Sequence, residues 1–270
     1  MNTLAEKYLR KEALPSIFCP GCGDGIVLNA FIRAVEQLGI REQMAAVSGI
    51  GCSSWVPVYL DMDVIHSLHG RAIPHAEGLK IAAPDKTIVV FSGDGDALGI
   101  GGNHLIHAAR RNIDLTVIMM NNYIYGMTGG QKAPTTPRHA VTKTSPLGNE
   151  ELPFDTEKLL TGAGATFFAR CCSIFPQHMT KCFVQAIQHK GFSFVEVLSQ
   201  CPTQAGRLIF SMRDPQNLAA WYKDHTYFAN KGTPEKEEKI PLGILHEENG
   251  KAEYTDALKD LRKAYCHDND

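Results

Sequence analysis

No run of about 18 uncharged apolar residues occurs anywhere in the sequence, so nothing in it reads as a membrane-crossing helix. The opening MNTLAEKYLRKEALPSIF lacks the apolar stretch of a secretory signal, which predicts a cytoplasmic protein with no membrane partner. An excess of one charge is missing too: 27 Lys and Arg against 29 Asp and Glu leave a net charge of -2, with no basic run. Nucleic acid is therefore not an expected partner. There is no repeat at a fixed period and no low-complexity segment. What remains, 270 residues with 44% hydrophobic and 21% charged content, is an ordinary globular composition, enough for one domain with appendages. Cysteine is not scarce. Eight cysteines in a reducing compartment are not expected to pair as disulfides, so those at ligand-like spacing read as metal or cluster ligands.

The chain alternates strand and helix signals. Apolar residues at helical spacing from Asp24 to Leu38, stopped by Gly39, predict a helix. Met44 to Ser48 reads as a short strand, and Ile73 to Ala83 as a helix closed by Pro84. The β-branched and aromatic run Thr87 to Phe91, a glycine-rich turn, a helix over about Gly101 to Arg111 and a strand Leu115 to Met120 make a βαβ unit of a buried parallel sheet. Tyr123 to Leu152 is an aperiodic loop, long enough to be functional. Helices near Asp155 to Leu160 and Pro176 to His189 and a strand Ser193 to Leu198 complete an α/β fold, a parallel sheet flanked by helices. The expected division is a main domain over 1–205 and an extension over 206–270, in which Asp214 to Phe228 and Tyr254 to Tyr265 read as helices around a polar link, packing on the same domain or on a partner.

Ser92-Gly93-Asp94-Gly95-Asp96 falls at the carboxyl end of a predicted parallel strand, where open α/β sheets bind ligands. Its glycines let backbone amides approach phosphate oxygens, with a helix N-terminus behind them. A carboxylate aimed at a diphosphate would repel it unless a divalent cation lay between, so Asp94 reads as a Mg²⁺ ligand. The next strand ends in Asn121-Asn122-Tyr123-Ile124, which offers a neutral amide oxygen and the Ile124 carbonyl on the same side. The pattern resembles the diphosphate motif of thiamine-diphosphate enzymes. A nicotinamide fingerprint fits less well, because the third position after Gly95 is Leu98 and no acidic residue ends the next strand.

Cys19-Pro20-Gly21-Cys22 is a pair able to bring two thiolates to one metal centre. Cys52 and Cys201 each follow a predicted strand end, and ends at one sheet edge can converge. Spacing alone suits zinc and a [4Fe-4S] cluster equally. Cys171, Cys172, Cys182 and Cys266 read as packing or surface residues.

Cys19-Pro20-Gly21-Cys22-Gly23-Asp24-Gly25, Ser48-Gly49-Ile50-Gly51-Cys52-Ser53-Ser54, His66-Ser67-Leu68-His69-Gly70-Arg71-Ala72, Gly93-Asp94-Gly95-Asp96 and Asn121 to Gln131, together and in this order, resemble the β subunit of 2-oxoacid:ferredoxin oxidoreductases over about residues 15–205. The resemblance implies a [4Fe-4S] cluster on Cys19, Cys22, Cys52 and Cys201. It implies thiamine diphosphate against Ile50, Gly51, Cys52, Ser53 and His69, with Gly93, Gly95 and Asp96 lining its diphosphate and His69 acting in catalysis. Asp94, Asn122 and the Ile124 carbonyl would hold Mg²⁺. Arg71, His75 and Lys80 would lie near substrate or diphosphate. The implied reaction is oxidative decarboxylation of a 2-oxoacid with coenzyme A, the electrons leaving singly to ferredoxin. The chain has no room for a pyrimidine-binding domain, so an α subunit is expected to bring it. The motif wording is nearest the 2-oxoglutarate members, and Lys132, Arg138 or Lys143 could meet a distal carboxylate. The competing readings are pyruvate as substrate, a non-oxidative thiamine-diphosphate decarboxylase, and a zinc-stabilised scaffold subunit.

Overall fold

A computed structural model describes residues 3–229 and 238–267. Short runs rich in apolar residues form β1 (Met44–Ser48), β2 (Asp63–His66), β3 (Thr87–Gly93) and β4 (Thr116–Asn121), followed by a small hairpin of β5 (Ile124–Tyr125) and β6 (Gln131–Lys132). β7 (Phe167–Cys172), β8 (Ser193–Leu198), β9 (Thr226–Phe228) and β10 (Ile240–Glu247) follow. The main sheet runs β2-β1-β3-β4-β8-β7-β10-β9. From β2 through β7 every pairing is parallel, as the crossover helices require.

Strand alternation sends Val89 and Phe91 to one face of the sheet and Ile88 and Val90 to the other, and helices cover both. On the first face Phe31, from helix Gly23–Leu38, meets Phe91 edge-on at 4.9 Å. That helix ends where sequence reasoning places its end, with Gly39 in the left-handed conformation at φ 66°. On the second face helices Ala72–Ala82, Gly102–Arg111 and Thr156–Ala163 pack over Val90 and Phe194.

The extension differs from the expected helices around a polar link. Asp214 caps a helix that stops at His225, and Thr226 already belongs to a strand. The supposed link contains β10, which pairs antiparallel with β7 and so extends the main sheet. Residues 230–237 of the link lie outside the described residues. Leu218, Tyr222 and Leu242 pack with Cys172 and Tyr123, which joins the extension to the sheet.

β7 also carries a charge inside the protein. Arg170 Nε donates to Glu196 Oε2 at 2.7 Å, and Glu196 Oε1 accepts from Asn121 and Thr156. Glu196 is 3% exposed, so removing its cation strands a buried carboxylate. Arg170→Met is expected to lower unfolding stability by about 3 kcal/mol, and Arg170→Met/Glu196→Gln to recover part of that loss in the same denaturant titration. Equal stability of the single variant and the unaltered chain would contradict this.

The parallel strands end at one edge. Going along the chain, β1 is followed outward by β2, whereas β3 is followed in the opposite direction by β4, so the order reverses between β1 and β3. Such a switch point opens a crevice at the carboxyl ends, flanked here by the loops that begin at Gly49 and Asp94.

Candidate functional site

One cavity of about 80 Å³ sits in that crevice. Its wall includes Ile50, Gly51, Cys52 and Ser53 after β1, His69 after β2, Gly93, Asp94, Gly95 and Asp96 around the end of β3, and Asn122 and Ile124 after β4. The structure thus brings the expected thiamine-diphosphate and Mg²⁺ residues to one place. Ser53 keeps its hydroxyl buried with no partner among the described residues. An orphaned polar atom on a cavity wall fits a polar ligand there.

Asp94 is 2% exposed, and burial drives its carboxyl up to about 7, against the hydrogen bond donated by the Thr135 hydroxyl. An isolated buried carboxylate is costly, and a divalent cation is the partner that relieves it. Asn122 Oδ1 accepts from Ile124 N at 3.2 Å, closing a turn in which Tyr123 takes φ 67°. A left-handed tyrosine is strained, and such strain concentrates at ligand sites. The two asparagines divide their work: Asn121 is spent on Glu196 and on Tyr123 N, and Asn122 borders the cavity. Thr135 was not singled out in the sequence. It comes from the long loop and nothing local marks it.

Asp96 lies on the same wall, but its carboxylate faces protein donors. Oδ1 accepts from His69 Nδ1 at 2.5 Å, Gly70 N at 2.7 Å and Ile50 N at 3.3 Å, and Oδ2 accepts from Ser92 Oγ at 2.5 Å. The residue expected to line a diphosphate therefore ties the loops after β1 and β2 to the end of β3. Gly49 packs against it so closely that a Cβ there would strike the carboxylate.

Beside this cavity lies a second, of about 230 Å³, whose wall includes Cys19, Cys22, Cys52 and Cys201. Cys52, Asp24, Asn122, Gly126 and Met127 border both. The Cys19–Cys22 turn is tied to the Cys201 loop by Gly23 N donating to Gln200 O at 2.9 Å and Gln200 Nε2 to Gly21 O at 2.6 Å. Gly21 holds φ 77° against Pro215, where a Cβ would collide. Burial pushes the Cys52 thiol up to about 12 and raises Cys22 and Cys201 as well, with Asp24 and the neighbouring thiols adding to the rise. Thiolates in this place need a metal's positive charge. Among the described residues no three histidine, cysteine or acidic side chains converge on a single ion. A four-iron cube takes one cysteine at each corner. The donor set and the room fit the cube.

Other candidates fall outside. Lys80 is 4% exposed and bonds Asp114 at 2.7 Å and Lys86 O at 2.9 Å, a structural role. Arg71 and His75 hold backbone and Ser67. Lys132 pairs with Glu151 and Arg138 with Glu150, and neither these two nor Lys143 borders the cofactor cavity. Cys171, Cys172 and Cys182 are buried in the core, and the Cys266 side chain lies outside the described residues. No helix among the described residues is long and apolar enough to cross a membrane.

A parallel α/β sheet with a Gly-Asp-Gly turn at the switch point and an asparagine after the neighbouring strand fits a thiamine-diphosphate-binding domain. Residues 49–197 match the family described as thiamine pyrophosphate enzyme, C-terminal TPP binding domain, and the chain belongs to it. More narrowly, it belongs with the β subunits of 2-oxoacid:ferredoxin oxidoreductases, as the sequence motifs imply. It is 49% identical over 260 residues to the 2-oxoglutarate synthase subunit KorB of Methanocaldococcus jannaschii, covering 96% of each chain. It is 56% identical over 196 residues to KorB of Archaeoglobus fulgidus, covering 73% of each. The 2-oxoglutarate:ferredoxin oxidoreductase from Magnetococcus marinus, solved with 2-oxoglutarate, coenzyme A and succinyl-CoA bound, matches with a TM-score of 0.88 at 32% identity, over 98% of this chain and 91% of that one.

Proposed function

We propose that this chain is the cofactor-binding β subunit of a cytoplasmic 2-oxoglutarate:ferredoxin oxidoreductase, which converts 2-oxoglutarate and coenzyme A to succinyl-CoA and CO₂ while reducing ferredoxin. The observation that carries the reading is Cys52, one residue on the wall of both cavities. On this reading it would put a thiamine diphosphate site and a [4Fe-4S] site side by side, as a reaction that ends in single-electron transfer needs. Names and bound molecules of the relatives favour 2-oxoglutarate.

Asp94, Asn122 and the Ile124 carbonyl would hold Mg²⁺, and Ile50, Gly51, Ser53, Gly93, Gly95 and His69 would surround the cofactor. Bound there, thiamine diphosphate supplies an electron sink for decarboxylation. Cys19, Cys22, Cys52 and Cys201 would ligate the cluster, which supplies one-electron steps. An α subunit would add the pyrimidine-binding domain, so the β chain alone is expected to be inactive. No free cation of the long loop faces the cofactor cavity, which leaves recognition of the distal carboxylate to that partner.

Assembled anaerobically with its α subunit, the enzyme is expected to reduce ferredoxin with 2-oxoglutarate and coenzyme A at a kcat/KM at least about tenfold above that with pyruvate. A preference for pyruvate would overturn the substrate, and turnover by β alone would overturn the partner.

A further inference from the structure

We propose that Asp96 is a positioning residue, holding His69 with its proton on Nδ1 and leaving Nε2 as the ring atom offered to the cofactor. The inference rests on the placement of Mg²⁺ and thiamine diphosphate proposed above. It starts from donor and acceptor counting. Ile50 N and Gly70 N can only donate, and both do so to Asp96 Oδ1. Ser92 Oγ sits 2.5 Å from Oδ2. With two amide donors on it, Oδ1 is an acceptor, whichever way the Ser92 hydroxyl turns at Oδ2.

His69 Nδ1, 2.5 Å from the same Oδ1, must then carry a hydrogen, and the neutral ring is fixed as the Nδ1–H tautomer. The ring borders the cavity, with its side chain 33% exposed. It meets Tyr125 in a T-shaped contact, centroids 6.1 Å apart, and Tyr125 is itself anchored through its hydroxyl to Gly95 O at 2.9 Å. Any proton that His69 exchanges with a ligand is exchanged at Nε2. The same carboxylate holds the amides of Ile50 and Gly70, so ring orientation and loop position are set by one side chain. A carboxylate that fixes the tautomer of a ligand-contacting histidine is an arrangement known from metal sites. Here it stands behind a cofactor cavity.

The test uses the full chain with ¹⁵N-labelled histidine, and the αβ assembly titrated with Mg²⁺ and thiamine diphosphate. In the unaltered chain the His69 ¹⁵N signals should report protonated Nδ1, and adding the cofactor should move Nε2 while Nδ1 stays protonated. Asp96→Asn and His69→Gln should each weaken cofactor binding by about tenfold or more. The double variant should lose no more than about threefold beyond the weaker-binding single one, since both disable the same contact. Protonated Nε2 with bare Nδ1 in the unaltered chain would overturn the proposal whether or not Asp96→Asn folds. So would losses that multiply in the double variant, which would make Asp96 a brace for the loops alone. An unaltered assembly that binds no Mg²⁺-thiamine diphosphate would instead overturn the cofactor reading, while the tautomer measurement still judges the Asp96–His69 pair.

Discussion

Replacing Cys201 by serine is expected to abolish the visible chromophore and slow ferredoxin reduction by more than about a hundredfold, since disturbing even an indirect metal contact costs 10- to 100-fold. A serine hydroxyl is a harder donor than a thiol and stays protonated in a site that already opposes thiolates by burial. Cys201 borders the cysteine cavity and not the cofactor cavity. The variant should therefore keep its affinity for Mg²⁺-thiamine diphosphate and release CO₂ from 2-oxoglutarate in a single turnover. Iron analysis, cofactor titration and CO₂ release on the same αβ preparation check the separation. Full ferredoxin reduction in the variant would show that Cys201 is not a ligand.

The complementary change is Asp94→Asn. The amide keeps the size and an acceptor for Thr135 but removes the charge that would hold a divalent cation between protein and diphosphate. One unit charge about 4 Å away is worth on the order of 4 kcal/mol at an intermediate dielectric, so the affinity for Mg²⁺-thiamine diphosphate should fall by about a thousandfold. Activity should fall with it, and iron content should not. Affinity within about threefold of the unaltered assembly would remove Asp94 from the metal site.

These two changes were visible in the sequence because both residues follow strands that announce themselves. Thr87 to Phe91 is a continuous β-branched and aromatic run, and Ser193 to Leu198 sets Phe194, Val195 and Val197 around Glu196; both are buried on both faces of a parallel sheet. The loops after them must reach the same edge, so glycine, aspartate, asparagine and cysteine there read as a site. β7 is harder to read because Phe-Phe-Ala-Arg-Cys-Cys has no β-branched residue and only Glu196 on β8 makes its Arg170 acceptable. β10 was missed for its Pro241 and Gly243, both disfavoured inside strands. It is tolerated near the sheet edge, where it pairs antiparallel with β7. Thr135 reaches Asp94 from 41 residues away, a contact that no local pattern encodes. Asp96 is legible as part of the motif but not in its role, because its four donors come from two separate loops and the strand it follows.

The most direct test of two adjoining cofactor sites on one chain is metal analysis with a visible spectrum, taken on the anaerobically purified αβ assembly. The expected result is about four irons per β chain, as tetracysteinyl ligation of a [4Fe-4S] cluster requires, with broad visible absorption that bleaches when 2-oxoglutarate and coenzyme A are added. A colourless assembly holding one zinc per β chain would contradict the account and leave the cysteines a purely structural role.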